Sequence, residues 1–311
     1  MKRQILNILR DRKDVVSGEM LSAQLGISRV AVWKHIQKLQ ASGYPIASGS
    51  KGYRLQGDAD GLYPWEFPRL EDRIHFFREL PSTMDEARKR ARRGCPHFTV
   101  VIAERQTRGR GRLQRTWLSD DGGLYFTVVL RPQMPTALSH LLNFAASLEL
   151  VKTLQSLCRI TVRVKWPNDI FVQNRKLVGL LSEMEAEGDL ASFVNIGIGI
   201  NVNNDPSGIL PPAVSLRQVT GRELSRRHIL TAFLEAFQDR VEGGNLETVI
   251  AEWKQHTFTL GRPVRIVTAR ETSEGVAVDV DENGALMLQQ ADGRIRRVIY
   301  GDCFHTAAGP I

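Results

Sequence analysis

Residues 98–132 read FTVVIAERQTRGRGRLQRTWLSDDGGLYFTVVLRP, two apolar runs separated by a basic, glycine-bearing excursion. The flanks FTVVIAE and GGLYFTVVLRP read as buried strands, the second entered through Gly122 and Gly123. Between them, residues 104–117 (ERQTRGRGRLQRTW) alternate Gly109 and Gly111 with Arg108, Arg110 and Arg112, and Arg115 follows. Glycine lets a backbone approach a ligand closely, and arginine offers a permanent charge on a planar fork of donors suited to carboxylate and phosphate. From Thr107 the stretch has no apolar residue before Leu113, so an empty loop buries little to offset the entropy of ordering. An anionic ligand would supply the difference. Read alone, the stretch is an anion-binding loop, a solvated basic turn or a nucleic-acid contact.

Working outward, the N-terminal side is a basic module. Residues 2–12 place Ile5, Leu6, Ile8 and Leu9 on one face of a helix. Ser17 caps a second helix with Met20, Leu21 and Leu25 as its stripe, and Gly26 breaks it. Ser28 caps a third, with Val30, Val32, Trp33, Ile36 and Leu39 apolar and Arg29, Lys34, Gln37 and Lys38 polar. Helix, tight turn and capped basic helix make a helix-turn-helix, and YPIASGSKGYRL adds two short strands as a wing. Up to Leu55 ten Lys and Arg oppose three Asp and Glu, a net +7 out of the chain's +8. A basic module on a near-neutral remainder points to a polyanion partner, with Ser28, Arg29, Lys34, His35, Lys38 and Lys51 as DNA-contact candidates.

The polar break at residues 57–61 divides a module over 1–60 from a central domain over 61–260. In the latter, RIHFFREL leads into a strand, and Ser82 or Thr83 caps a helix closed by Gly94. Residues 137–158 form a long apolar helix; VRVKWPNDIFV and KLVGLLSEME are strands joined by a turn at 173–175; SFVNIGIGINV is a further strand; residues 223–256 are helical. Short alternating segments with turns at 282–284 and 292–293 predict a small β-barrel over 261–311. The class is α+β, a mixed central sheet with helices on one side.

The second chemical signal is Lys165-Trp166-Pro167-Asn168-Asp169. Proline is confined to a strand end or bulge, and the two polar residues after it either turn the backbone or offer oxygen to Mg²⁺ beside phosphates. Lys176 opens the return strand and points either to solvent or, as a cation, into a site. Cys95, Cys158 and Cys303 are odd in number and far apart, which fits reduced thiols in a cytoplasm; the seven histidines lack zinc-ligand spacing; and no apolar run is long enough to span a membrane.

Together TRGRGRLQRTW, KWPND, RKLVGLLSE and GIGIN resemble the biotin–protein ligase family, and the basic N-terminal module makes the resemblance one to the bifunctional ligase/biotin operon repressor type. It implies a winged helix-turn-helix, a class II synthetase-like ligase core and an SH3-like C-terminal barrel. It implies two steps: biotinyl-5′-AMP from biotin and MgATP, then transfer to a lysine of a biotin carboxyl carrier protein. The adenylate would serve as corepressor for a ligand-promoted homodimer on operator DNA. It also implies roles. Lys176, Arg110, Arg112 and Arg115 would be the catalytic cations. Ser82, Thr83, Met84, Gln106, Gly111, Tyr125 and Thr127 would lie along biotin, with Gly179, Gly197 and Gly199 leaving room for its bicyclic ring. Trp117, Asn168, Asp169 and Asn201 would serve ATP, with Asn168 and Asp169 toward Mg²⁺. The chain departs from the family pattern at Gln114, where a third glycine is usual, at Met84, where asparagine is, and at Thr127, where serine is common. A lipoate–protein ligase, a biotin-sensing regulator without transfer activity, and a plain nucleic-acid-binding protein are the competing readings.

Overall fold

The computed structural model describes every residue except 58, 208–211, 245, 269 and 306–311, and the side chain of Gln114; part of the 57–61 break and the last six residues of the expected barrel therefore lie outside the described residues. The chain forms two compact units, Met1–Ile74 and His75–Ile311.

The first unit holds α1 (Lys2–Arg12), α2 (Gly18–Leu25) and α3 (Arg29–Ala41). Serine caps set the starts of α2 and α3: the Ser17 and Ser28 hydroxyls accept from the Met20 and Ala31 amides at 3.0 and 3.2 Å, satisfying donors that have no intrahelical partner. Gly26 ends α2 with φ 65°, a left-handed position suited to glycine. Ile5, Leu6, Leu9, Leu21, Val32 and Ile36 share one core. Not all of the apolar set on α3 is buried. Val32, Ile36 and Leu39 are, whereas Val30 and Trp33 remain 62 and 51% exposed, because the helical period turns them to the opposite face. The wing is an antiparallel pair, β1 (Ile46–Gly49) and β2 (Gly52–Leu55). It is tied to the lead-in of α2 by reciprocal Val16–Tyr53 backbone bonds of 2.8 and 2.9 Å. Gly52, at φ 136°, makes this approach possible, since a β-carbon there would meet the Val16 carbonyl.

Residues 61–74, expected in the central domain, pack within this first unit. Tyr44 donates its hydroxyl to Glu66, Arg10 pairs with the same carboxylate at 3.0 Å, and the Lys2 ammonium lies 3.7 Å from the Trp65 ring centre. None of these contacts has a sequence period.

The second unit is built on seven strands: β3 (Ile74–Leu80), β4 (Thr99–Gln106), β5 (Leu124–Leu130), β6 (Arg163–Lys165), β7 (Asp169–Val172), β8 (Arg175–Glu187) and β9 (Leu190–Ile200), in the order β3-β4-β5-β9-β8-β7-β6. The helices are α4 (Thr83–Arg92), α5 (His140–Cys158), the short α6 (Leu216–Thr220), α7 (Arg226–Glu242) and α8 (Val249–His256). They cover both faces of the sheet, not one. On β5, Thr127 bonds to Thr83 of α4, while its neighbour Phe126 meets Phe233 of α7 with ring centres 5.6 Å apart. Adjacent strand residues point to opposite faces, so α4 and α7 lie on opposite sides. The helical stretch 223–256 is two helices, parted at Gly243 and Gly244, the latter at φ 71°. KWPND splits the expected single strand into β6 and β7. The next turn is tight, with Gln173 and Asn174 both left-handed at φ 49° and 60°, as a two-residue hairpin requires.

Five C-terminal strands, β10 (Pro263–Val267), β11 (Thr272–Val280), β12 (Leu286–Gln289), β13 (Ile295–Val298) and β14 (Asp302–His305), form an antiparallel sheet in the order β13-β12-β11-β10-β14. The Trp166 indole anchors it to the core, donating to the Gly284 carbonyl at 3.0 Å. No helix of the described residues is long and apolar enough to cross a membrane.

Candidate active site

Strand register assembles the site. Tyr125, Gly199, Gly179, Asp169 and Lys165 are successive cross-strand partners on β5, β9, β8, β7 and β6, one line across the sheet. All but Tyr125 line a single cavity on the α4 face. A bulge adds Lys176. Ile170 pairs with Val178 but Phe171 pairs with Lys176, so Leu177 is an extra residue on β8. Strict alternation from Gly179 would send Lys176 to the far face; the bulge re-aims it into the cavity. Backbone bonds from the Lys176 amide to the Pro212 carbonyl (2.9 Å) and from the Val214 amide to the Lys176 carbonyl (3.0 Å) hold it there. Its ammonium pairs with Asp169 at 2.8 Å and lies 5.4 Å from the Trp117 ring centre. The cation is therefore inside the site, not in bulk solvent.

The glycines make a flat floor, and in this structure it is covered. A β-carbon on Gly179 would come within 2.8 Å of the Trp117 indole, one on Gly199 would strike the same ring, and one on Gly197 would come within 2.6 Å of the Met84 sulfur. The room expected for a bicyclic ligand holds these two side chains. The indole Nε1 is buried without a hydrogen-bond partner among the described residues, so the ring is held by packing on the floor and by the Lys176 ammonium over its face. Valine at position 199 should displace the indole. The expected result is roughly 5- to 100-fold weaker biotin binding, since overpacking costs about 1–3 kcal/mol. Calorimetric titration of a folded Gly199→Val protein tests this, and unchanged affinity would contradict it.

The arginine loop folds as a closed turn. Gly111 donates to the Arg115 carbonyl at 2.7 Å and Trp117 to the Gly109 carbonyl at 2.9 Å. Leu113 is left-handed there, at φ 50°; how Gln114 takes the place of the usual third glycine lies outside the described residues. Arg112 reaches the Asn168 side-chain oxygen at 3.3 Å, the Gly301 carbonyl at 2.9 Å and the Asp302 carboxylate at 3.8 Å, while Arg115 pairs with Asp302. Arg110 lines the cavity, but its guanidinium turns to Asp85 at 2.9 Å and Glu183 at 2.6 Å.

At the other end lies a polar relay. Thr127 donates to the Thr83 hydroxyl at 2.9 Å, and Thr83 donates from its amide and hydroxyl to Gln106 at 2.8 and 3.0 Å. Gln106 donates onward to Ser119 at 2.8 Å. The Ser82 hydroxyl lines the cavity, buried and without a hydrogen-bond partner among the described residues. Gly111 and Asn201 also line it; Asn201 accepts from Asn204 at 2.9 Å. Two expected residues do not. Thr127 sits beneath Thr83, and Tyr125 donates its buried hydroxyl to the Asp120 carbonyl at 2.8 Å, its pKa pushed up by burial.

The C-terminal sheet completes the wall with Asp302, Cys303 and Phe304, none of which the sequence reading placed in the site. Lys165 was likewise unassigned. Its ammonium lies 5.0 and 6.0 Å from the Phe171 and Phe304 ring centres and makes no ion pair among the described residues; burial lowers its pKa. Burial also pushes the Cys303 thiol up to about 12, so it is no nucleophile at neutral pH. No cluster of metal-binding side chains occurs among the described residues. Lys165, Lys176, Arg112 and Arg115 therefore converge on an apolar slot against two carboxylates, Asp169 and Asp302. That arrangement suits two anionic reactants brought together.

In the first unit, Ser28 caps α3; Arg29, Lys34 and Lys38 are exposed on it; and Lys51 is exposed at the wing turn. His35 is half-buried, with Nδ1 buried and without a hydrogen-bond partner among the described residues. Its pKa is lowered first by burial and then by Lys38, so it lies at the margin of the exposed face.

Three family models match the chain: an HTH domain over residues 2–54, the biotin/lipoate A/B protein ligase family over 77–201, and the biotin protein ligase C-terminal domain over 259–306. The bifunctional ligase/repressor BirA of Bacillus subtilis (strain 168) is 33% identical over 305 residues, covering 93% of each chain. The protein of the same name from Escherichia coli (strain K12) is 30% identical over 306 residues, covering 92% of this chain and 91% of that one. Among solved structures, the biotin protein ligase of Aquifex aeolicus in complex with biotin and ATP superposes with TM-score 0.65 at 27% identity, covering 75% of this chain and 99% of that one.

Proposed function

The chain belongs to the biotin/lipoate A/B protein ligase family, and from that premise we propose that it is an ATP-dependent biotin–protein ligase which also acts as a biotin-responsive repressor. The observation that carries the enzymatic half is the convergence of Lys176, Arg112 and Arg115 on a glycine-floored slot. In the first step a biotin carboxylate oxygen attacks the α-phosphorus of ATP. The bond to the β-phosphate bridging oxygen breaks and pyrophosphate leaves, giving biotinyl-5′-AMP. In the second, the neutral amine of a carrier-protein lysine attacks the acyl carbon. The carbon–oxygen bond to AMP breaks, and an amide forms as the amine sheds its proton.

Both steps need charge placement, not a protein nucleophile. Lys176 would exchange Asp169 for the biotin carboxylate and then for the acyl-phosphate oxygens. Arg112 and Arg115 would exchange Asp302 for the nucleotide phosphate. Ser82, Thr83 and Gln106 would meet the polar ring end of biotin, and Trp117 would leave the glycine floor to pack on the nucleotide. Arg110 would contribute by its backbone and by tethering the loop to α4. Magnesium would arrive with ATP, whose phosphate charge it neutralises when bound. Asp169 fits a single-carboxylate contact to it, whereas the Asn168 side chain is already engaged by Arg112 and the Leu180 carbonyl. The test is transfer of labelled biotin to a biotin carboxyl carrier domain, with lipoate offered in parallel. Transfer of lipoate in preference to biotin would move the chain to the other branch of its family.

The repressor half rests on the basic winged helix-turn-helix. One copy covers a half-site, so two would pair when the adenylate is bound, the closed loop finishing the dimer surface. Abundant carrier protein would consume the adenylate and release the DNA. A cytoplasmic setting suits three free cysteines. Lys34→Ala is expected to weaken operator binding severalfold and leave biotin transfer unchanged. Anisotropy at fixed salt, with and without biotin and ATP, reads both the variant and the ligand dependence. Binding equally tight in both conditions would remove the coupling and leave the ligase intact.

A further inference from the structure

The exposed side of α3 carries an apolar pair among cations. Val30 and Trp33, one helical turn apart, face water, and the opposite side of the helix is buried through Val32, Ile36 and Leu39. Arg29, Lys34 and Lys38 are exposed on the same helix and form no ion pair among the described residues. A single exposed apolar residue is ordinary. Two at i and i+3, within the first turns of a capped second helix of a helix-turn-helix, lie where such helices meet base edges. The cations there account for attraction to phosphate and leave the apolar pair without a role. In the major groove the apolar group that a base presents is the C5 methyl of thymine. We propose that Val30 and Trp33 read thymine through that methyl, so that the apolar pair selects sequence while Arg29, Lys34 and Lys38 supply attraction to the duplex. The inference rests on the DNA-binding reading above. Val30, short and in the first turn, would sit against one methyl; the wider Trp33 ring would cover the neighbouring step.

The test uses the full chain with biotin and MgATP at fixed salt. Duplexes are selected from a random pool by the wild-type protein. The recovered site is then remade with each thymine replaced in turn by uracil, which lacks only the methyl. At least one position per half-site should lose roughly three- to fivefold in affinity, about the worth of one buried methyl group. That loss should vanish for Val30→Ala or Trp33→Ala, which stop short at the β-carbon, and persist for Val30→Thr, which keeps a γ-methyl. Affinity for an unrelated duplex, set by the cations, should be the same for all the proteins, which also shows that α3 is intact. Selected binding indifferent to uracil overturns the inference while the DNA-binding reading stands, and so does a uracil penalty that survives in both alanine variants. Absence of any salt-sensitive duplex binding removes the DNA-binding reading and the inference with it.

Discussion

Lys176→Met is expected to lower biotinyl-adenylate synthesis by roughly two orders of magnitude, since a lost charge-assisted contact in a partly buried site is worth about 2–4 kcal/mol. The bulge at Leu177 aims this ammonium into the cavity, 2.8 Å from Asp169. The variant also leaves Asp169 without its cation beside incoming phosphates, so two anionic charges would face each other. Single-turnover formation of the adenylate, followed chromatographically, measures the effect. Lys176→Arg should recover part of it, because the charge returns on a differently shaped group. Near-normal synthesis by the methionine variant would place the lysine outside the chemistry.

The second large effect concerns retention of the intermediate. Arg112 joins the loop to Asn168, to Gly301 just before β14 and to Asp302 at its start. In Arg112→Ala the turn keeps its own backbone bonds and the Arg115–Asp302 pair but loses the bonds to Asn168 and Gly301. Each charge-assisted bond is worth about 1.5–3 kcal/mol, so biotinyl-AMP should leave roughly 10- to 100-fold faster. Protease cleavage within the loop should become rapid, and slow little with biotin and ATP, while in the parent these ligands protect it. Release at the parent rate would mean that the arginine does not close the site.

Much of this was legible in the residues. Ser17 and Ser28 announce helix starts through the hydroxyls that cap them, and FTVVIAE and GGLYFTVVLRP announce buried strands by composition. KWPND and the glycines of β8 and β9 fall around one cavity because register aligns them, and the arginine loop lies over it; the loop and KWPND stand out by residue type, the glycines through the family resemblance. What was not legible depends on distance in sequence or on local irregularity. Asp302 and Cys303 reach the site from a separate sheet. The bulge at Leu177 breaks the alternation that a sequence reading must assume. Arg110 pairs with Asp85 and Glu183 because α4 packs beside β8, and no spacing announces that. Trp117 and Met84 cover the floor because glycine leaves space and an apolar surface favours being covered, which depends on three-dimensional neighbours. Val30 and Trp33 are apolar by residue type yet exposed, because only one face of α3 meets the core.

The cavity's central task is to activate biotin through its adenylate. The most direct measurement is exchange of labelled pyrophosphate into ATP, which requires the first step to run in both directions and needs neither carrier protein nor DNA. Exchange that depends on biotin, fails with lipoate and falls by about two orders of magnitude in Lys176→Met is the predicted result. Absence of biotin-dependent exchange by a folded protein that binds both biotin and ATP would contradict it.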